Sequence, residues 1–202
     1  MQFFEERLSR QPDDEPPPPA MPEWFGFPPD VMGAIVPQGT VLARTEHLFA
    51  GLAGLTVYPT GLLISLVLSA RRAGMPRERW EAVEAAFWAD HGHRPGRPHA
   101  GDGVLRFGVE LADGRRTETQ ERFVPAFDLP REPPVLVEHQ GEGSGGSYRQ
   151  DKRTSLWLWP LPEGEALSLV LQWPALDLPL TSSRVELAPV REALARVTPY
   201  WP

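Results

Sequence analysis

The segment DHGHRPGRPH contains the side chains of this sequence that are best suited to binding a metal. Its candidate ligands are one carboxylate and three imidazoles, Asp90, His91, His93 and His99. These groups are common ligands of zinc, nickel and copper, so the segment is compatible with a metal-dependent hydrolase. The segment is also rich in proline and glycine, which is typical of an exposed loop. The metal site is therefore an alternative hypothesis, and no bound cofactor is predicted.

Three tryptophans form a second candidate site. Trp157, Trp159 and Trp173 lie on two neighbouring predicted strands. Because successive side chains of a strand point to opposite faces, Trp157 and Trp159 are predicted on the face opposite Leu156 and Leu158. An aromatic face of this kind is either buried or lines a pocket for a small apolar ligand. Burial is favoured, and ligand binding by the three rings is a second alternative function.

Residues 1–38 differ in composition from the rest of the chain. They include DDEPPPPAMPEWFGFPP, whose prolines restrict φ and favour the extended polyproline II conformation. We predict that this segment is a proline-rich N-terminal arm or linker. Its aromatic residues Trp24, Phe25 and Phe27 either contact a protein partner or pack along the protein's own sheet.

Sequence motifs of covalent or nucleotide chemistry are absent. The chain has no GxSxG, SxxK or HExxH motif, so no catalytic residue and no enzymatic activity are predicted. Residues 141–148, GEGSGGSY, are glycine-rich like a phosphate-binding loop. A predicted strand follows them instead of the helix that such a loop requires, which favours a hairpin loop.

The stretch from Leu48 to Ala70 has no charged side chain and is long enough to cross a membrane as a helix. The sequence Tyr-Pro-Thr-Gly at 58–61 interrupts it with a turn signal. After the turn, every second residue is a large aliphatic one: Leu62, Ile64, Leu66 and Leu68. This period of two predicts a strand with one buried face. We therefore expect two strands of a soluble β-sheet, joined by a turn, and not a membrane-spanning helix.

Similar patterns predict a β-rich domain over residues 39–202. Strands are expected at 40–44 and 105–111, followed by a hairpin turn at Asp113-Gly114 and a return strand. Further strands are predicted at PVLVEHQ, TSLWLW, ALSLVLQW and SRVEL, and helices at RERWEAVEAAFWADH and PVREALARV. Short strands separated by turn signals are typical of an antiparallel β-sandwich, immunoglobulin-like in general build.

Charge and composition exclude several classes of partner. The net charge is −7, and clustered basic residues that could bind nucleic acid or an anionic membrane are missing. Lys152 is the only lysine, and with the many arginines this indicates high-GC coding. The absence of cysteine excludes disulfides and thiolate metal sites. The first residues lack a signal-peptide pattern, so a cytoplasmic location is expected.

Five segments occur in a characteristic order: PEWFGFPPD, VLART, LTVYPTGLLISLVL, LRFGVELADGRR and LWLWPLPEGEALSLVLQWP. In this order, from Pro22 onwards, the chain resembles a set of uncharacterised actinobacterial proteins of unknown function. The resemblance implies no activity, cofactor or catalytic residue. Taken together, the sequence predicts a non-catalytic protein-binding or assembly module, whose partner is another protein or a second copy of the chain.

Overall fold

The computed structural model describes residues 21–88, 103–120 and 131–202. These residues form mainly β structure with two short helices, as the sequence predicts. The elements are β1 (Val31–Met32), β2 (Ala34–Arg44), β3 (Leu48–Tyr58), β4 (Gly61–Arg71), α1 (Arg77–Phe87), β5 (Arg106–Glu110), β6 (Arg116–Gln120), β7 (Val135–Gly146), β8 (Arg149–Trp159), β9 (Ala166–Trp173), β10 (Leu178–Glu186), α2 (Ala188–Leu194) and β11 (Thr198–Pro199).

Nine of these strands form one continuous sheet in the order β10-β9-β5-β6-β7-β8-β4-β3-β2. The edge strands β10 and β2 lie next to each other, so the sheet is nearly closed into a barrel. The predicted sandwich of two sheets, immunoglobulin-like in build, is not confirmed. The prediction of purely antiparallel pairing is also wrong at one place, because β6 and β7 pair in parallel.

The uncharged stretch forms the antiparallel strands β3 and β4, joined at Pro59-Thr60. Its inward residues are almost fully buried: Leu62 and Ile64 at 0 %, and Leu66 and Leu68 at 2 % and 1 % exposure. The period of two therefore gave the correct buried face. No helix in the described ranges is long and apolar enough to cross a membrane.

Both helices contribute to the main core inside the nearly closed sheet. Trp80, Val83 and Phe87 of α1 are buried there, as their helical spacing predicts. Phe87 packs against Trp173 of β9 with ring centroids 5.6 Å apart. The residue after α1, Trp88, reaches β8. Phe87 of α1 thus contacts β9, and Glu84 of α1 accepts a hydrogen bond from Gln150 of β8, so α1 connects the inner faces of these two strands.

The predicted boundary between residues 38 and 39 does not separate an arm from a domain. It lies inside β2, which begins at Ala34 and pairs with β3 on both sides of Gly39. The preceding β1 pairs with β11, close to the end of the chain. Residues from Ala34 onwards therefore belong to the sheet.

The glycine-rich segment is also different from its prediction. The glycines up to Gly146 lie within β7, and only Ser147 and Tyr148 connect it to β8. A β-bulge at His139 interrupts the register between the two strands. Beyond the bulge, Gly143 and Gly145 lie opposite the buried residues Lys152 and Gln150. A Cβ atom at Gly143 would come within 2.5 Å of the Trp88 ring, so the glycine allows the ring to approach the strand.

Gly143→Ala is expected to lower the free energy of unfolding by about 1–3 kcal/mol, as overpacking does. The added methyl would meet both Trp88 and the carbonyl oxygen of Asp151, each at 2.5 Å. Gly146→Ala is the matched control, because a Cβ atom there has no neighbour within 4 Å. Urea unfolding followed by tryptophan fluorescence measures both variants. Equal losses in the two variants would contradict the close approach of Trp88.

Candidate functional site

The segment that contains Trp24 and Phe25 packs on the outer face of β7. Both rings are buried, at 6 % and 9 % exposure, in a small cluster with Val135 and Val137. The Trp24 and Phe25 rings meet edge to face at 5.6 Å, and the Arg131 guanidinium lies 5.5 Å from the Trp24 ring centroid. Of the two roles predicted for these rings, the structure thus shows packing on the protein's own sheet.

Phe27 continues this packing beside Trp157. Its half-buried ring stacks on Tyr58 at 4.9 Å and lies 4.9 Å from the His139 ring. Trp157 meets Tyr58 edge to face at 5.8 Å, and its indole Nε1 donates a hydrogen bond to the Glu23 carbonyl at 2.8 Å. Burial, together with the nearby Tyr200, raises the pKa of Tyr58 above its ordinary value. These contacts form an ordered aromatic surface layer.

The three tryptophans of the predicted ligand site do not line a common pocket. Trp157 is fully buried beneath the outer aromatic layer, whereas Trp173 is fully buried in the main core. Trp159 is half-buried and packs against the Trp24 cluster. Leu156 and Leu158 belong to the main core, so the predicted division of β8 into an aromatic and an aliphatic face is confirmed.

The predicted metal ligands Asp90, His91, His93 and His99 lie outside the described residues. Within residues 21–88, 103–120 and 131–202, no group of three or more acidic or histidine side chains is placed to hold a metal ion. The metal-dependent hydrolase stays an untested hypothesis.

A row of buried polar side chains was not predicted from the sequence. Gln150, Lys152 and Thr154 of β8 are 4 %, 3 % and 2 % exposed and lie on the same inner face as Leu156. The Lys152 ammonium is 2.8 Å from Oε1 of Glu138 on β7, and the Thr154 hydroxyl donates to the same oxygen at 2.6 Å. A buried ammonium is stable only with such partners, because desolvating an unpaired charge is costly.

Gln150 connects this polar row to α1. Its amide nitrogen donates to Oε1 of Glu84 at 2.5 Å and to the Gly146 carbonyl at 3.0 Å. Its amide oxygen accepts a hydrogen bond from the Trp88 indole at 3.0 Å. This arrangement positions the end of α1 on β8. We assign the row a structural role because these contacts join β8 to β7 and to the end of α1.

Two segments that pair with each other, one near each end of the described chain, carry exposed large hydrophobic side chains. These side chains are Met32, Ile35, Tyr200 and Trp201, which are 54 %, 68 %, 53 % and 72 % exposed. We call this set the terminal patch. Its segments are held together by the β1–β11 pairing, by a hydrogen bond from Tyr200 N–H to the Asp30 carbonyl at 2.9 Å, and by one from Arg196 to the Ile35 carbonyl at 3.4 Å.

A cleft of about 560 Å³ lies where β8 leads into β9. Its apolar wall is formed by the half-buried ring of Trp159 with Leu161 and three prolines, Pro59, Pro160 and Pro162. We call it the proline cleft. Glu23, just before the buried Trp24, also lines it.

Comparison with known proteins adds no candidate to these surfaces. No protein-family model matches the sequence, and no curated protein or solved structure matches it either. The resemblance to actinobacterial proteins stays a prediction.

Proposed function

We propose that this protein is a non-catalytic protein-binding or assembly module and that the terminal patch is its contact surface. The observation that supports the proposal is the exposure of four large apolar side chains on segments that hydrogen-bond to one another. Exposed large apolar side chains on neighbouring segments are typical of sites that bind other proteins, since burying them is favourable. Tyrosine and tryptophan are also enriched among the residues that dominate binding energy. The cytoplasmic location predicted from the sequence is retained as part of this proposal.

The partner tested first is a second copy of this chain. The terminal patch is flanked by charges of both signs, the exposed side chains of Asp30 and Arg196. A two-fold interface places the same surface on both subunits, so it requires this kind of self-complementarity. Trp24 and Phe25 of the N-terminal segment are less suited to binding a second copy of the chain, because both rings are already buried against the protein's own sheet.

The double variant Ile35→Ser/Trp201→Ser is expected to remove self-association. Both side chains are more than two-thirds exposed, so the change removes apolar surface without opening the core. Sedimentation velocity over a concentration series should show a rising weight-average sedimentation coefficient for the wild type and a constant monomer value for the variant. Tyr148→Ser is the control, because its ring is 73 % exposed but belongs to the β7–β8 hairpin.

A wild-type chain that remains a monomer at every concentration would exclude the second copy as partner. The patch would then be compared in pull-downs from host lysate with quantitative mass spectrometry. A partner bound by the wild type and by Tyr148→Ser, but lost from the double variant, would support the module. Equal recovery from all three proteins would contradict the assignment of the patch.

A further inference from the structure

We infer that one end of the outer sheet surface binds a protein partner that presents carboxylates beside apolar side chains. This surface lies on β2, β3, β4 and β8, and we call it the arginine face. It consists of Val41, Val67, Arg44, Arg71, Arg149 and Arg153. The N-terminal segment packs on the same side of the sheet at the Trp157 end of β8, whereas the arginine face lies at the Arg149 end. The arginine face is separate from the terminal patch, and its assignment does not rest on the function proposed for that patch.

The apolar part of the arginine face is a straight row across three strands. Val41 of β2, Gly51 of β3 and Val67 of β4 are partners in the register of the sheet. Val41 is 45 % exposed, and Val67 is half-buried. The Phe49 ring lies against Gly51, where a Cβ atom would come within 3.0 Å of it. The glycine thus allows an aromatic ring to lie close to the backbone beside two valines, which makes the row a shallow apolar surface.

Two guanidinium groups of the arginine face, those of Arg44 and Arg71, form no ion pair within the described ranges of the chain. Arg44 lies over the Phe49 ring, 5.4 Å from its centroid. Arg71 donates to the Glu46 carbonyl at 2.7 Å, which uses one donor and leaves the charge uncompensated. Arg71 also lies directly opposite Arg149 in the sheet. Like charges in this arrangement are destabilising, so a carboxylate that a partner places beside them would be stabilising.

The other two guanidinium groups have carboxylates beside them. Arg149 donates to Oδ1 of Asp151 at 2.9 and 2.8 Å, and Arg153 is 3.8 Å from Glu142. Four guanidinium groups therefore stand against two carboxylates, in a chain whose net charge is −7. The adjoining turns add one charge of each sign, on Arg72 and Glu46. Because complementary charges favour association and like charges oppose it, an acidic partner fits this face better than the same face of a second copy.

A protein fits the arginine face better than a nucleic acid does. The apolar row has no use in binding phosphates, and the carboxylates of Asp151 and Glu142 would repel them. The face spans four strands about 4.8 Å apart and about four residues along each, or roughly 14 by 13 Å between Cα atoms. That is well below the roughly 800 Å² per partner of a stable interface. We therefore expect a weak, transient contact that weakens as salt is added.

The experiment selects peptides from a phage-displayed library of random sequences on the full chain at low salt. The selected peptides should contain aspartate or glutamate beside large apolar residues. A fluorescent synthetic copy then gives the dissociation constant by anisotropy. Arg44→Ser/Arg71→Ser should bind it at least about fivefold more weakly and with a smaller salt dependence, as expected for two charge pairs lost from an exposed surface.

Arg116→Ser/Arg184→Ser is the matched control, because it changes the net charge equally and removes exposed arginines from β6 and β10. It should bind the peptide as the wild type does. Val41→Ser tests the apolar row and should weaken binding while leaving its salt dependence unchanged. Urea unfolding of each variant confirms that the fold is kept, as surface substitutions should leave it.

Several results would overturn the proposal. These are selection of no peptide, selected peptides without carboxylates, and equal affinity of the two arginine variants. Loss of binding from Ile35→Ser/Trp201→Ser would assign the peptide to the terminal patch instead. Tighter binding of duplex DNA than of the peptide would make the face a nucleic-acid site. Self-association that Arg44→Ser/Arg71→Ser abolishes in sedimentation velocity would make the occupant a second copy.

Discussion

Replacing Lys152 by alanine is expected to lower the free energy of unfolding by about 3–5 kcal/mol, the cost of removing one partner of a buried ion pair. The Lys152 side chain is 2 % exposed, and its ammonium lies 2.8 Å from the Glu138 carboxylate. Without it, that carboxylate loses its adjacent positive charge while its side chain stays largely covered, at 18 % exposure. We expect the lower end of the range, because the remaining exposure gives Glu138 some access to water. Urea unfolding followed by tryptophan fluorescence measures the loss.

Two further variants test whether the loss comes from the buried charge. Lys152→Met/Glu138→Leu removes both charges and keeps apolar volume, and such replacements are often neutral or stabilising. The double variant should therefore be more stable than Lys152→Ala. Arg77→Ala breaks a pair with Glu81 whose side chains are 83 % and 55 % exposed, and its cost should stay below about 1 kcal/mol. A Lys152→Ala loss as small as that of Arg77→Ala would contradict a buried pair.

The position of Lys152 shows where local patterns stop being informative. Leu156 and Leu158 identify the inner face of β8, and counting back by two residues reaches Thr154, Lys152 and Gln150. Three polar residues at these positions are typical of a solvent-facing stretch of strand. They are buried because Glu138 comes from β7 and the end of α1 covers them. No local sequence signal marks these three residues as buried.

The faces of β3 and β4 could be predicted because a strand alternates its side chains every two residues, whatever the rest of the fold does. The closure of the sheet could not. It depends on the parallel pairing of β6 with β7 and on the approach of β2 to β10, which are distant in sequence. The bulge at His139 is a similar case. By changing which residues of β7 face inward, it places Gly143 against Trp88, and a regular alternation would have placed Glu142 there.

Strand alternation predicts only part of the aromatic layer on the outer face of the sheet. Alternation places Trp157 on the outer face, but its indole donates to Glu23, 134 residues earlier in the chain. Nothing local to either residue specifies that contact. Because the outer rings could be buried or free, the sequence left both roles open for Trp24, Phe25 and Phe27.

A chain beginning at Gly39 is expected to lose cooperative folding. It lacks the first five residues of β2, of which Ala34 to Pro37 pair with β3, and it also lacks Trp24 and Phe25. Their loss uncovers Val135, which is 1 % exposed in the intact protein. Thermal unfolding by circular dichroism should therefore show no sharp transition for this chain. A transition at the temperature of the full chain would contradict a structural role for residues 21–38.

A point variant of Trp24 tests whether its buried ring accounts for the lost stability of the chain beginning at Gly39. It also tests the predicted role of this ring in partner binding. Trp24→Ala is expected to cost about 3–5 kcal/mol, as for other buried aromatic rings. Trp201→Ala is the matched control, and with a ring that is 72 % exposed its cost should stay within about 0.5 kcal/mol. If the loss at Trp24 is this large, moving the ring out of its packed position to bind a partner costs a similar free energy. A free-energy difference of about 1.4 kcal/mol changes an equilibrium constant tenfold, so fewer than about one molecule in a hundred would have the Trp24 ring exposed. Equal stability of the two variants would show instead that Trp24 is available for binding at little cost.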